Sequence, residues 1–323
     1  MSTLSPQAQA IIRTFGSQPG VTQDQTSNLQ AVINASPALI DQINEVVAQG
    51  NLKRIVPLTN PNAGGEYAGA NKEIRLPLTK LTTPPPSQQF DAGEVAFVLG
   101  HEPQHGFNHA AKAAAYLDFM KEAAQAAKTD HDYTDEIGKL LSANCRDEAA
   151  AEIAGWNAVV GLLKSTKPNP TLQDIFNAQQ SRMSDFIDRS SSSAPPVIYT
   201  LKPNLTLNPD MTLDPTPANI EAMGQNFFDK QAKALGGSVG LGYHGNSDYA
   251  NYYGAWPIQE AAKLERQHNP QPAMAVDLSK LGLSEKLLEE NGINLGANQQ
   301  ATPYWDMSGK VPKAGLFQHT ATT

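Results

Sequence analysis

Val98-Leu99-Gly100-His101-Glu102-Pro103-Gln104-His105-Gly106 is the stretch on which the reading of this chain turns. In a helix, His101 and His105 are one turn apart on one face. Two imidazoles so placed can reach one tetrahedral Zn²⁺ from the same side. Glu102, beside the first of them, can reach a water on such an ion as general base. The apolar run Val95-Ala96-Phe97-Val98-Leu99 suits a buried helix that holds these side chains rigid. The bland alternative is a helix with two satisfied histidines and one surface glutamate.

Pro103 lies inside the motif. It removes a hydrogen bond to the Leu99 carbonyl and crowds that carbonyl, at about 3 kcal/mol in a helix interior. Two outcomes are open: a kink at Gly100, or a helix that begins near there with Pro103 in its first turn. The motif helix is expected from Ala92 to His105, with Gly106 as a left-handed stop. A separate alanine-rich helix is expected from His109 to Lys128.

Upstream, residues 5–15 and 24–49 carry apolar residues at helical spacing, the second broken at Ser36-Pro37 with Ser36 as N-cap. Residues 52–60 and 72–79 read as two strands of a hairpin around the turn-rich segment 61–71. Pro77 cannot donate to a ladder, so its strand is expected at an edge, where an extended peptide could add as a further strand. Downstream, helices are expected from Tyr133 to Leu163 and from Thr171 to Asp188.

Ser190-Ser-Ser-Ser-Ala-Pro-Pro196 reads as a linker, so the expected division is a core of residues 1–189 and a C-terminal region of residues 197–323. In the latter, Leu205–Asp210 and Met211–Thr216 form a short extended repeat. One helix is expected from Pro217 to Gly236, one across Tyr249–Trp256, and one over Ser284–Asn291. The tail beyond is read as irregular. The fold class is mainly α with a small β element, an α+β arrangement.

Two glutamates supply the missing ligand. Cys145-Arg-Asp-Glu148-Ala-Ala-Ala-Glu152-Ile-Ala-Gly-Trp156 lies on the Tyr133–Leu163 helix, with Glu148 and Glu152 on one face among small residues. A carboxylate from this pair would complete a His₂Glu set and leave one zinc position open. The spacing alone does not choose between them.

His101-Glu-x-x-His105 followed by Glu148-x-x-Ala151-Glu152 resembles the gluzincin group of zinc metallopeptidases. That resemblance implies Zn²⁺ held by His101, His105 and Glu148, Glu102 as the catalytic base, and Glu152 as an acid behind the ligands. It also implies a zincin-like catalytic core that hydrolyses peptide bonds. The metzincin pattern is not met, because Asn108 and Ala111 stand where it needs Gly and His. The wider layout of residues 40–165, including Gly-His-Glu-x-x-His-Gly-Phe-Asn and Asp-Glu-Ala-x-Ala-Glu-Ile-x-Gly-Trp-Asn, resembles metallopeptidase effectors and toxins of Gram-negative bacteria. It implies a peptide or peptidoglycan-peptide substrate, a secretion machine and a cognate immunity protein. A catalytically inactive zincin-like module is the alternative that Pro103 favours.

Composition bounds these readings. A formal charge of −8 without a basic stripe argues against nucleic-acid binding. No apolar run is long enough to span a membrane. The first residues lack a basic n-region and an apolar h-region, so synthesis in a bacterial cytoplasm without a signal peptide is expected, with export by a dedicated system. One cysteine, Cys145, excludes an internal disulfide and a cysteine-based zinc site. Tyr243 and His244, in a glycine-rich segment, are candidates for an oxyanion donor.

Overall fold

The computed structural model describes residues 2–60, 63–190, 196–269, 274–296 and 301–321. The chain runs α1 (Pro6–Gly16), α2 (Gln23–Ala35), α3 (Pro37–Ala48), β1 (Arg54–Pro57), β2 (Glu66–Ala68), β3 (Glu73–Leu76), α4 (Leu78–Leu81), α5 (Ala92–Ala126) and α6 (Thr134–Lys164). It continues through α7 (Leu172–Ala178), α8 (Gln180–Met183), β4 (Ile187–Arg189), β5 (Tyr199–Leu201), α9 (Pro217–Phe228) and α10 (Tyr249–His268). It finishes with β6 (Met274–Val276), α11 (Glu285–Asn291), β7 (Thr302–Asp306) and β8 (Lys313–Phe317). The fold is mixed α+β and mainly helical, with sheets of two or three strands. No helix among the described residues is long and apolar enough to cross a membrane.

Two compact units form. The first comprises Met1–His109 and Asp147–Gly224, and the second comprises Ala110–Arg146 and Gln225–Thr323. Helices α5 and α6 each contribute residues to both. Of the linker expected at 190–196, residues 191–195 lie outside the described residues, and the first unit continues on to Gly224.

In the first unit, local signals start the helices. Ser5 caps α1 ahead of Pro6, and Thr22 and Gln25 form a reciprocal capping box on α2. Ser36 caps α3 ahead of Pro37, as the sequence predicts. Phe15, Leu29, Ile33, Leu39, Ile43, Ile55, Phe97 and Trp156 are fully buried and make the core.

The small sheet differs from the expected hairpin. β1 and β3 pair in parallel, with Ile55 opposite Ile74, and β2 pairs antiparallel to β3, with Tyr67 opposite Ile74. The order is β1-β3-β2, so the strand before Pro77 is central and not at an edge. Pro77 falls just beyond its last paired residue and precedes α4, where no ladder donor is needed. The edge strand beside α5 is β2, inside the segment read as turns. Its three residues are too few for a period to show.

Helix α5 also differs. It runs unbroken through Pro103, Gly106 and His109, where a stop and a new helix were expected. Nor does it begin near Gly100. Gly106 is used for packing: a Cβ there would lie 3.0 Å from Val46 Cγ2 and 3.4 Å from the Tyr67 ring. Beside the bond that Pro103 removes, Gln42 Nε2 donates to the Gly100 carbonyl at 2.8 Å.

The helix expected over 171–188 breaks at Gln179, whose buried amide donates to Asp91 and Glu94 at the start of α5. The extended repeat at 205–216 forms the bridge Leu207–Leu213. It is tied to α6 by Trp156 Nε1 donating to the Met211 carbonyl and by Asn157 paired with Leu213.

In the second unit the core includes Phe119, Tyr133, Ile137, Ile258, Met274, Val276, Leu288 and Phe317. Helix α9 ends at Phe228, earlier than expected, and Gly236 closes a 3₁₀ turn at Lys233–Leu235 instead. The tail is not irregular. β6, β7 and β8 form a sheet in that order, β7 parallel to β6 and antiparallel to β8.

Candidate metal centre

Glycines set the spacing of the two helices that carry the site. A Cβ at Gly100 of α5 would stand 2.6 Å from the Ala154 carbonyl oxygen of α6, and one at Gly155 would stand 2.8 Å from the Phe97 ring. The helices therefore touch backbone to backbone. Their contacts run in opposite directions along the chain, so they are antiparallel. This places Asp147, Glu148 and Glu152 beside His101 and His105.

The two histidines face each other through Nε2, at 3.1 Å. Glu148 stands against both: Oε2 is 3.7 Å from His101 Nε2, and Oε1 is 3.9 Å from His105 Nε2. Donors about 2.0–2.2 Å from a tetrahedral ion are about 3.3–3.6 Å from one another, so these separations are close to those of a ligand set. One donor atom from each of the three residues lies within 4.8 Å of the others. His101, His105 and Glu148 could thus hold a metal ion.

Each imidazole has a carboxylate behind it. Asp147 Oδ2 is 3.0 Å from His105 Nδ1, and Glu152 Oε1 is 3.4 Å from His101 Nδ1. A proton held on His105 Nδ1 by Asp147 leaves the Nε2 lone pair of that ring toward the shared point. Asn108 Nδ2 donates to Asp147 Oδ1 at 3.0 Å and holds that carboxylate in turn. The His101 ring stacks on Phe97 at 5.8 Å between centroids, and the Arg182 guanidinium lies over the other ring, 5.0 Å from the Phe97 centroid. Glu94 fixes Arg182 through its Nε and Nη2.

The electrostatics follow from burial and crowded charge. Burial works against a charged His105, but Glu148 and Asp147 outweigh it and raise its pKa to about 9. Burial pushes the Glu102 carboxyl up to about 7; His105 opposes the shift and Glu148 adds to it. Glu102 lies under Gly65, the residue before β2, where a Cβ would stand 2.9 Å from its Oε1. The side chains of His101, His105 and Glu148 are 12, 14 and 10% exposed.

No family model, curated protein or solved structure matches this chain.

Of the residues singled out in the sequence, His101, His105 and Glu148 come together here, and Glu102 lies near enough for the charges of His105 and Glu148 to act on its carboxyl. Glu152 is fully buried and backs His101, so the Glu148–Glu152 pair is interior and not a solvated stripe. Sequence reasoning missed Asp147, whose only signal is its place directly before Glu148. It also missed Gly65 and Arg182, which carry no motif. His109 is on the same helix but packs against Gly69 and Tyr67. Tyr243 and His244 belong to the second unit, where Tyr243 covers Gly292 and His244 Nε2 meets the Thr320 carbonyl at 3.1 Å.

Proposed function

We propose that His101, His105 and Glu148 bind Zn²⁺ and that the chain is a zinc-dependent metallopeptidase with a zincin-like catalytic core. The observation that carries this reading is the convergence of two Nε2 atoms on Glu148, each imidazole backed by its own acid. A largely enclosed triad of this composition matches the donor set of a gluzincin-type site. When bound, zinc would polarise the scissile carbonyl and lower the pKa of water toward ~7.

The chain's own groups do the rest. Asp147 holds His105 in the tautomer that presents Nε2, and the Glu152 carboxylate stands behind His101. Glu102 takes a proton from the attacking water as its oxygen joins the carbonyl carbon. It then passes that proton to the amide nitrogen as the C–N bond breaks. Burial raises the proton affinity of this carboxyl, which favours its taking up the proton. The substrate is a peptide, in a protein or in a peptidoglycan stem. The layout of residues 40–165 adds delivery by a secretion machine and a cognate immunity protein.

A second reading is favoured by one observation. Glu102 is 6% exposed beneath Gly65, which suits an inactive module whose ion is structural. Glu102→Gln separates the two. Metallopeptidase function requires about one zinc per chain in this variant and in the unmodified protein, with hydrolysis of protein or muropeptide substrates lost only in the variant. Zinc bound by both with no hydrolysis by either supports the second reading. No zinc in either sinks both.

A further inference from the structure

We propose that Asn108 and Gln104 are positioning residues for His105, acting through Asp147 as a hydrogen-bond chain of fixed direction. Three contacts make the chain. Asp147 Oδ2 lies 3.0 Å from His105 Nδ1, Asn108 Nδ2 donates to Asp147 Oδ1 at 3.0 Å, and Gln104 Nε2 donates to Asn108 Oδ1 at 3.1 Å. Gln104, His105 and Asn108 belong to α5 and Asp147 to α6, so the chain ties the ring to both helices.

Its direction follows from the carboxylate. A carboxylate only accepts, and Asp147 is buried, so it takes a proton from each of these neighbours. That demand reaches outward. Asn108 gives Asp147 its nitrogen and so turns its oxygen to Gln104, one helical turn away, which answers with its own nitrogen. The chain ends there: Gln104 lines an open cleft between α3, α5 and α6. Both amides are thus oriented by Asp147. Any change that reverses one of them withdraws a bond from the group that holds His105.

Simple packing makes no such demand. An amide and a carboxylate have the same shape, so a filler role would make Gln104→Glu mild. The chain requires the opposite. A carboxylate at position 104 can only accept, so Asn108 either turns its nitrogen away from Asp147 or holds its oxygen against a charged one. Gln104→Leu removes more polarity but lets Asn108 keep donating to Asp147.

Proton NMR in chelator reads the ring without any metal. The His105 Nδ1 proton, largely enclosed and hydrogen-bonded, should give a slowly exchanging downfield signal in the unmodified protein and in Gln104→Leu. It should broaden away in Asn108→Leu and in Gln104→Glu, where Asp147 is no longer held from behind, with far-UV circular dichroism unchanged in all. The effect on metal rests on the proposed function. Zinc affinity should fall about tenfold in Asn108→Leu and in Gln104→Glu, the low end for groups behind a ligand, and less in Gln104→Leu. In the Asn108→Leu background Gln104→Glu should add little, because the bond it disturbs is already gone. A signal absent from the unmodified protein, kept in Gln104→Glu, or lost as fully in Gln104→Leu overturns the inference. An unmodified protein that binds no zinc while the signals follow the expected pattern sinks the proposed function and upholds the chain.

Discussion

Asp147 Oδ2 stands 3.0 Å from His105 Nδ1, on the opposite side of the ring from the atom that meets His101. The acid next to the candidate ligand Glu148 therefore serves the other helix. Adjacent helical residues point about 100° apart, so Glu148 reaches between the rings while Asp147 reaches behind one of them. Asp147→Asn keeps the shape but removes the charge and leaves its amide unable to accept from both His105 and Asn108. Zinc affinity should fall about 10- to 100-fold with the fold retained. Competition titration against a chromophoric chelator measures this.

Proton competition gives the site a defined pH dependence. In the metal-free protein His105 has a pKa of about 9, so an ion must displace its proton, and zinc affinity should rise with pH up to about 9. Stability of the metal-free protein runs the other way. His105 and Glu102 both have folded pKa values above their ordinary ones. Their contributions are complete at low pH and are lost as pH rises through about 7 for Glu102 and about 9 for His105. Melting temperature in chelator should decline over that window, and saturating zinc should reverse the decline. Thermal melts with and without zinc across the range check both signs.

The close helix contact makes a further demand. Gly100→Ala puts a methyl 2.6 Å from the Ala154 carbonyl oxygen and 2.7 Å from Ala158 Cβ, neither of which is a flexible tip. The helices must part. A loss of about 1–3 kcal/mol is expected, with weaker metal binding because Glu148 retreats from the histidines. Urea denaturation of the metal-free protein and a zinc titration read the two effects separately.

In the second unit Glu265 is fully buried and accepts from Tyr133 Oη at 2.7 Å and from Asn269 Nδ2 at 2.7 Å, with His131 Nδ1 at 3.2 Å. Burial and this carboxylate push the Tyr133 phenol well above its ordinary pKa. Glu265→Leu strands buried donors and should cost about 3 kcal/mol of stability, with metal stoichiometry unchanged. Denaturant midpoints and metal analysis of the variant test this together.

Much of the site was legible because its chemistry is local or periodic. His101 and His105 share one helix face, and Glu148 and Glu152 share another among alanines. Helix starts at Ser36-Pro37 were legible from caps. Gly106 misled because a glycine after a histidine motif reads as a stop, while contact with Val46 and Tyr67 needs a residue without a side chain inside the helix. Pro103 left two outcomes open, and the helix start near Gly100 is not the one taken: α5 begins at Ala92, and Gln42 from α3 supports the carbonyl beside the lost bond. β2 and the β6-β7-β8 sheet stayed hidden because their pairings are long-range and their strands have three to five residues. Asp147 behind His105 required knowing how α5 and α6 align, which Gly100 and Gly155 decide.

The backing of each imidazole has a consequence for the order of events. Helix spacing and the placing of the acids behind the rings rest on protein–protein contacts, so the proposed site should assemble ahead of an ion. Folding is expected to precede loading. Far-UV circular dichroism should accordingly be the same in chelator and in zinc. Under the proposed function, a chain that folds empty stays idle until it is loaded, and loading is favoured as pH rises.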